Sequence, residues 1–198
     1  MAKLHSYPVL KNSELKKPIV FVVDMVNGFI YEGALHDARI LKIVSPIQSL
    51  LEKYESIFVC DKHPENAREF QAYPNHCLIG TKESEVIDEL QVFNHNQMDK
   101  NSTNTFFSPA FQEFLETEFY KYDDYIIVGC CTDLCILQFA LSFQGWLNQN
   151  DYKEKRIIVP VDCVETYHMD THPADKWNDF ALENMHTNGI TVVERIEK

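Results

Sequence analysis

The chain has 198 residues, 45% of them hydrophobic, and carries a net charge of −12 from 18 basic and 30 acidic residues. That size and apolar content suit one domain with its own core. The acidity, with no Lys/Arg-rich run, argues against nucleic acid and against an anionic membrane surface as partners. No apolar run nears the ~20 residues that span a bilayer, and the polar stretch 1–17 has no signal-peptide h-region, so a cytoplasmic protein is expected. The six cysteines, Cys60, Cys77, Cys130, Cys131, Cys135 and Cys163, are then expected as free thiols rather than a disulfide framework. They lack the C-x-x-C pairs of a structural zinc site.

In chain order, Pro18-Ile-Val-Phe-Val-Val-Asp24 has the β-branched, continuously apolar pattern of a buried strand. Residues 38–54 place Ile40, Ile43, Ile47, Leu50 and Leu51 at helical spacing. Ser56–Asp61 and Asp124–Gly129 are further strands, the latter followed by a helix from about Thr132 to Asn148. A strand at Arg156–Val161, a helix from about Pro173 to Thr187 and a strand at Ile190–Glu194 close the series. Phe139, Phe143 and Trp146 fall at helical spacing and are expected in the core. The acidic runs Glu83-Ser-Glu85 and Asp123-Asp124 are expected as solvated faces.

Continuous apolar strands alternating with helices predict an α/β fold: a mostly parallel sheet covered by helices on both faces, in the Rossmann-like manner. Right-handed crossovers bring every strand's C-terminal end to one edge, where ligands bind in such sheets. Chemically capable residues stand at those ends: Asp24, then Asp61 and His63, then the Cys130–Cys135 segment. The connections 63–83 and 94–108 are long and show no clear period, which points to functional loops.

Cys135 ends a segment, Gly129-Cys-Cys-Thr-Asp-Leu-Cys135, that leaves a strand and enters a helix. A thiol in a first helical turn faces the positive end of the dipole, which favours thiolate, and N–H groups that can hold an oxyanion. Residue type alone would make it a small buried hydrophobe. Asp24 either caps the Asn27-Gly28 turn or takes the thiol proton. Lys100, in the polar loop Met98–Ser102, reads by itself as a solvated lysine. Asp61-Lys-His63 and His76, with Glu65 and Glu69 between them, form either a loop network or a site for Zn, Mn or Fe, which imidazole and carboxylate ligands suit better than Ca or Mg.

Taken together these segments resemble the isochorismatase-like cysteine hydrolase family, and within it the nicotinamidases. The resemblance runs from about Pro18 to Glu194. It rests on Val22-Val-Asp24-Met-Val-Asn-Gly-Phe29 with Gly33-Ala-Leu35, on Asp61-x-His63 and Pro74-Asn-His-Cys-Leu-Ile-Gly-Thr81, and on Asp99-Lys100 with Phe106. The nucleophile motif Gly129–Cys135 is the most specific match, and Asp162–His172 with Ala181-Leu182 completes the set.

The resemblance implies one hydrolase domain over 1–198, with 1–17 as an N-terminal extension. It makes Cys135 the nucleophile, Asp24 the base and later acid, and Lys100 the third triad member. It places a cis peptide at Cys130–Cys131 beside the oxyanion, an aromatic clamp at Phe29 and Tyr73, and a divalent transition metal (Zn, Mn or Fe) on Asp61, His63, His76 and Glu69, with Glu65 as the fallback ligand. It implies no organic cofactor, a small amide such as nicotinamide as substrate, and a homo-oligomer. Two other readings stay open: a family member acting on a carbamoyl amide or an isochorismate-like vinyl ether, and a non-catalytic small-molecule-binding or scaffold protein.

Overall fold

The structure, a computed structural model, describes residues 6–197; residues 1–5 of the N-terminal extension, and residue 198, lie outside that range. Its strands are β1 (Leu10–Lys11), β2 (Pro18–Val23), β3 (Ser56–Asp61), β4 (Gln97–Lys100), β5 (Asp124–Cys130), β6 (Arg156–Pro160), β7 (Val164–Glu165), β8 (Thr191–Val193) and β9 (Ile196–Glu197). The α-helices are α1 (Asn27–Ile30), α2 (Val44–Leu51), α3 (Asp88–Gln91), α4 (Pro109–Thr117), α5 (Leu137–Gln149) and α6 (Ala174–Thr187).

Six strands run β4-β3-β2-β5-β6-β8, and β7 pairs with the end of β5. Every pairing in this sheet is parallel. The small β1–β9 pair stands apart from it. Alternate residues of each strand go to opposite faces. Val20 and Val22 of β2 meet Ile47 and Leu50 of α2, whereas Ile19, Phe21 and Val23 meet Phe111 and Phe114 of α4 and Phe139 and Phe143 of α5. Both faces are therefore dry, which explains the unbroken apolar strands.

The chain adds strands on one side of β2 first and then returns to add β5, β6 and β8 on the other. The order thus reverses between β2 and β5, the position at which open parallel sheets carry their ligand crevice. Gly129 marks the closeness of this junction. Its φ is +115°, and a Cβ there would stand 2.0 Å from the Val23 carbonyl oxygen, so no side chain fits.

The elements differ from the sequence expectation in four places. Residues 38–43 form a 3₁₀ turn before α2 rather than one long helix. Thr132–Ile136 is a π-helical turn, so the α-helix proper starts at Leu137. Lys100 ends an edge strand instead of lying in a loop. Asp124 is 1% exposed and bound to Arg156, not part of a solvated face, because it sits in register beside that arginine on β6.

Candidate active site

Sheet register assembles the site. Asp61 and Lys100 are paired positions at the C-terminal ends of β3 and β4, so their side chains leave the sheet on the same side. Asp24 follows β2 with a left-handed φ of +54°, a conformation that Asp tolerates better than most residues. Its Oδ1 accepts the Asp61 N–H at 3.0 Å. Lys100 Nζ then lies 2.9 Å from Asp24 Oδ2, bonds Asp61 Oδ1, and stands 3.9 Å from Cys135 Sγ. Asp24, Lys100 and Cys135 come from separate elements and are all buried. The cis peptide at Cys130–Cys131 is present, next to Asp24 through a Cys130 Sγ contact with the Asp24 carbonyl at 3.1 Å.

One ammonium among two carboxylates and a thiol sets the proton affinities. Burial raises Asp24, the Asp61 charge raises it further, and Lys100 only partly offsets them, so the carboxyl is pushed up to about 6. Burial alone would also raise Asp61, but the Lys100 charge and the His63 and His76 imidazoles outweigh it and hold Asp61 below the usual carboxylate range. Lys100, which burial would lower, is held above its ordinary value by Asp24 and Asp61. Burial drives the Cys135 thiol up; Lys100 pulls it down, and Asp24 and Asp61 push it up again. Loss of water thus holds the Cys135 sulfur toward its neutral form, beside a carboxyl pushed up to about 6. Burial therefore works against the thiolate that a helix end favours, and Lys100 works for it.

Beside this buried group, one atom each of Asp61, His63 and His76 lies within 4.8 Å of the others. His63 Nε2 and His76 Nε2 are 3.7 and 3.8 Å from Asp61 Oδ2. Each of these residues has one atom anchored and one atom open. His63 Nδ1 meets Asn101 Oδ1 at 2.8 Å and His76 Nδ1 meets the Pro74 carbonyl at 2.8 Å, so each ring donates from Nδ1 and turns Nε2 inward. Asp61 gives Oδ1 to Lys100 and keeps Oδ2. Glu69 accepts from the Thr103 N–H and hydroxyl through Oε1, leaving Oε2 4.0 Å from His63 Nε2. His63 Nε2 and Glu69 Oε2 are buried without a hydrogen-bond partner. Orphaned buried acceptors of this kind fit a divalent transition metal. Glu65 is exposed and outside the cluster, so Glu69 is the fourth candidate ligand.

Phe29 and Tyr73 both flank His76, with ring centroids 5.6 and 6.2 Å away. Phe70 was not foreseen, yet it stands edge-on to His63 at 5.3 Å and to His76 at 5.6 Å. Asn101, Thr103, Asp133 and His172 were also missed as members of the site's surroundings. Their signal lies in three dimensions: Asn101 meets His63, Thr103 meets Glu69 and Asp133 meets His172 only once β4, the metal-side loop and the chain after β7 are folded together. Asn101 and Thr103 are one and three residues beyond Lys100, the only sequence hint they carry.

The Isochorismatase domain model matches residues 18–197. Nicotinamidase 1 of Arabidopsis thaliana is 26% identical over 182 residues, covering 81% of this chain and 70% of that protein. N-carbamoylsarcosine amidase from Thermoplasma acidophilum superposes with a TM-score of 0.69 at 26% identity, covering 92% of this chain and 99% of its own. A nicotinamidase from Bacillus subtilis gives a TM-score of 0.69 at 23% identity, covering 90% of this chain and 99% of its own. A match over nearly the whole length, on a parallel sheet with a Cys/Asp/Lys group at its switch point, shows that this chain belongs to the isochorismatase family.

Proposed function

We propose that the protein is a metal-assisted amidohydrolase that converts nicotinamide and water to nicotinate and ammonia, with Cys135 as nucleophile. The observation that carries the reading is Lys100, sealed from solvent and shared among Asp24, Asp61 and Cys135. A buried ion group whose members push each other's proton affinities apart is costly as scaffolding and useful as an acid–base centre.

In this reading Asp24 takes the Cys135 proton as sulfur attacks the amide carbon, and Lys100 offsets the charge gathered between them. The backbone N–H groups of Cys131 and Cys135 receive the oxyanion. When the C–N bond breaks, Asp24 returns its proton to the leaving nitrogen and ammonia departs. Asp24 next deprotonates water, which attacks the thioester. The C–S bond breaks, nicotinate leaves, and the Asp24 proton restores the thiol. Phe29, Tyr73 and Phe70 offer ring faces and edges to a flat heteroaromatic substrate. Asp61, His63, Glu69 and His76 would hold the divalent cation, which when bound supplies a Lewis-acid contact for the pyridine nitrogen. The reading implies a homo-oligomer at work in nicotinamide salvage in the cytoplasm, where the six unpaired thiols stay reduced.

The likeness to N-carbamoylsarcosine amidase at 26% identity favours a second substrate class, a carbamoyl amide. An ammonia-release assay on nicotinamide and a panel of carbamoyl and other amides, with metal analysis of the same preparation, separates the two. Nicotinamide should be the best substrate. Release from carbamoyl amides alone transfers the assignment to the second class, and near wild-type turnover by Cys135→Ala removes the nucleophile.

A further inference from the structure

The motif Asp162–His172 has no task in the mechanism above, and the structure gives it one. Asp133 lies in the π-helical turn, two residues before Cys135. Its carboxylate is 4% exposed and fully engaged. Oδ1 accepts the Thr166 hydroxyl at 2.6 Å, and Oδ2 lies 2.8 Å from His172 Nε2. His172 Nδ1 meets the Tyr167 carbonyl at 3.1 Å, so both ring nitrogens face oxygen acceptors. The imidazole is stacked between two rings: Tyr167 at 3.9 Å and 10°, and Trp177 of α6 at 4.9 Å and 4°. Thr166 is itself fully buried and follows Glu165, which pairs in register with Cys130. The chain after β7 therefore grips the nucleophile turn through Asp133.

We propose that Thr166 and His172 are positioning residues that act through Asp133 to fix the turn presenting the Cys135 sulfur. Neither side chain touches the reacting group. In the π-turn the Cys131 carbonyl accepts from both Leu134 and Ile136, and the Leu137 N–H reaches the Thr132 and Leu134 carbonyls, but all of these bonds are local. Two hydrogen bonds onto one carboxylate in its middle tie the turn to the chain after β7. Because displacement of a reacting atom by ~1 Å can cost ~100-fold in rate, losing this clamp should appear in kcat rather than in KM.

The inference rests on Cys135 as nucleophile, and the test separates the two. His172→Phe keeps the ring stack and removes the bond to Asp133. His172→Gln keeps a donor and removes the stack. Thr166→Val removes the other bond with little change of shape. With ammonia release from nicotinamide as probe, His172→Phe should lose ~10–100-fold in kcat with KM within ~3-fold, and Thr166→Val ~3–10-fold. His172→Gln should stay within ~3-fold of wild type. Hydrogen exchange over residues 131–137 should quicken in His172→Phe and Thr166→Val, a readout that needs no substrate. Folded His172→Phe or Thr166→Val protein with wild-type kcat and unchanged exchange overturns the clamp. If His172→Phe does not fold, Thr166→Val decides by the same criterion. Cys135→Ala is assayed alongside: turnover surviving there removes the functional reading, whereas its loss beside unaffected clamp variants removes only the clamp.

Discussion

The two ends of one sheet handle a buried aspartate in opposite ways. At the N-terminal end, Asp124 of β5 sits in register beside Arg156 of β6. Its oxygens accept Arg156 Nε at 2.6 Å, Arg156 Nη2 at 2.9 Å and the Lys16 N–H at 2.7 Å. The arginine keeps 34% of its side chain in solvent. At the C-terminal end, Asp61 of β3 and Lys100 of β4 share the same cross-strand register. There the ammonium is sealed and serves a second carboxylate and a thiol besides. The same cross-strand pairing thus carries a hydrogen-bonded anchor at one edge and one sealed ammonium shared by two carboxylates at the other. The difference lies in the ratio of carboxylates to cations and in access to water.

The strongest way to break this comparison is to exchange the consequences of mutation between the edges. Cys135→Ala and Lys100→Met should each lower kcat by ~10⁴-fold or more, because members of such a group act together; a residual rate above one-hundredth of wild type in either would contradict the triad. Next comes the metal side. Asn101→Ala frees His63 from the hydrogen bond that orients it, and affinity for zinc or manganese, measured by calorimetric titration, should fall ~10–100-fold.

Proton exchange sharpens the contrast. Asp24 must be ionised to act as base and is pushed up to about 6. The kcat/KM profile should therefore fall about tenfold per pH unit below that limb. A cation that offsets the Asp61 charge should move the limb lower, since that charge helps to hold Asp24 up. A profile flat from pH 7 to below 4 would exclude Asp24 as the base. The smallest expected effect on turnover comes from the opposite edge. Asp124→Asn should leave kcat within ~2-fold while costing ~1–3 kcal/mol of stability in chemical denaturation, from weaker charge-assisted hydrogen bonds.

What could be read from the chain alone follows from which residues report their own surroundings. Five strands, β2, β3, β5, β6 and β8, are predominantly apolar and announce themselves, and the polar residues at their ends then fall on one edge by topology. β4 did not, because an edge strand of four residues with alternating burial, Gln97-Met-Asp-Lys100, looks like a polar loop. Lys100 was accordingly assigned by resemblance, and its burial came as a structural finding. The choice of Glu69 over Glu65 depends on Thr103, 34 residues away, which fixes one carboxylate oxygen and leaves the other open. The burial of Cys135 is not legible in the same way, because a helix end can be read from a sequence, whereas the loss of water around a sulfur cannot.

Lys100 belongs to a strand paired on one side only, through β3. Outer strands of this kind separate from a sheet at lower free energy than interior ones. As urea is added, β4 should detach while β2, β5 and β6 stay joined, taking the ammonium with it. Ammonia release should then vanish at a lower urea concentration than the loss of intrinsic fluorescence, so that an assembled but inert protein accumulates between the two transitions.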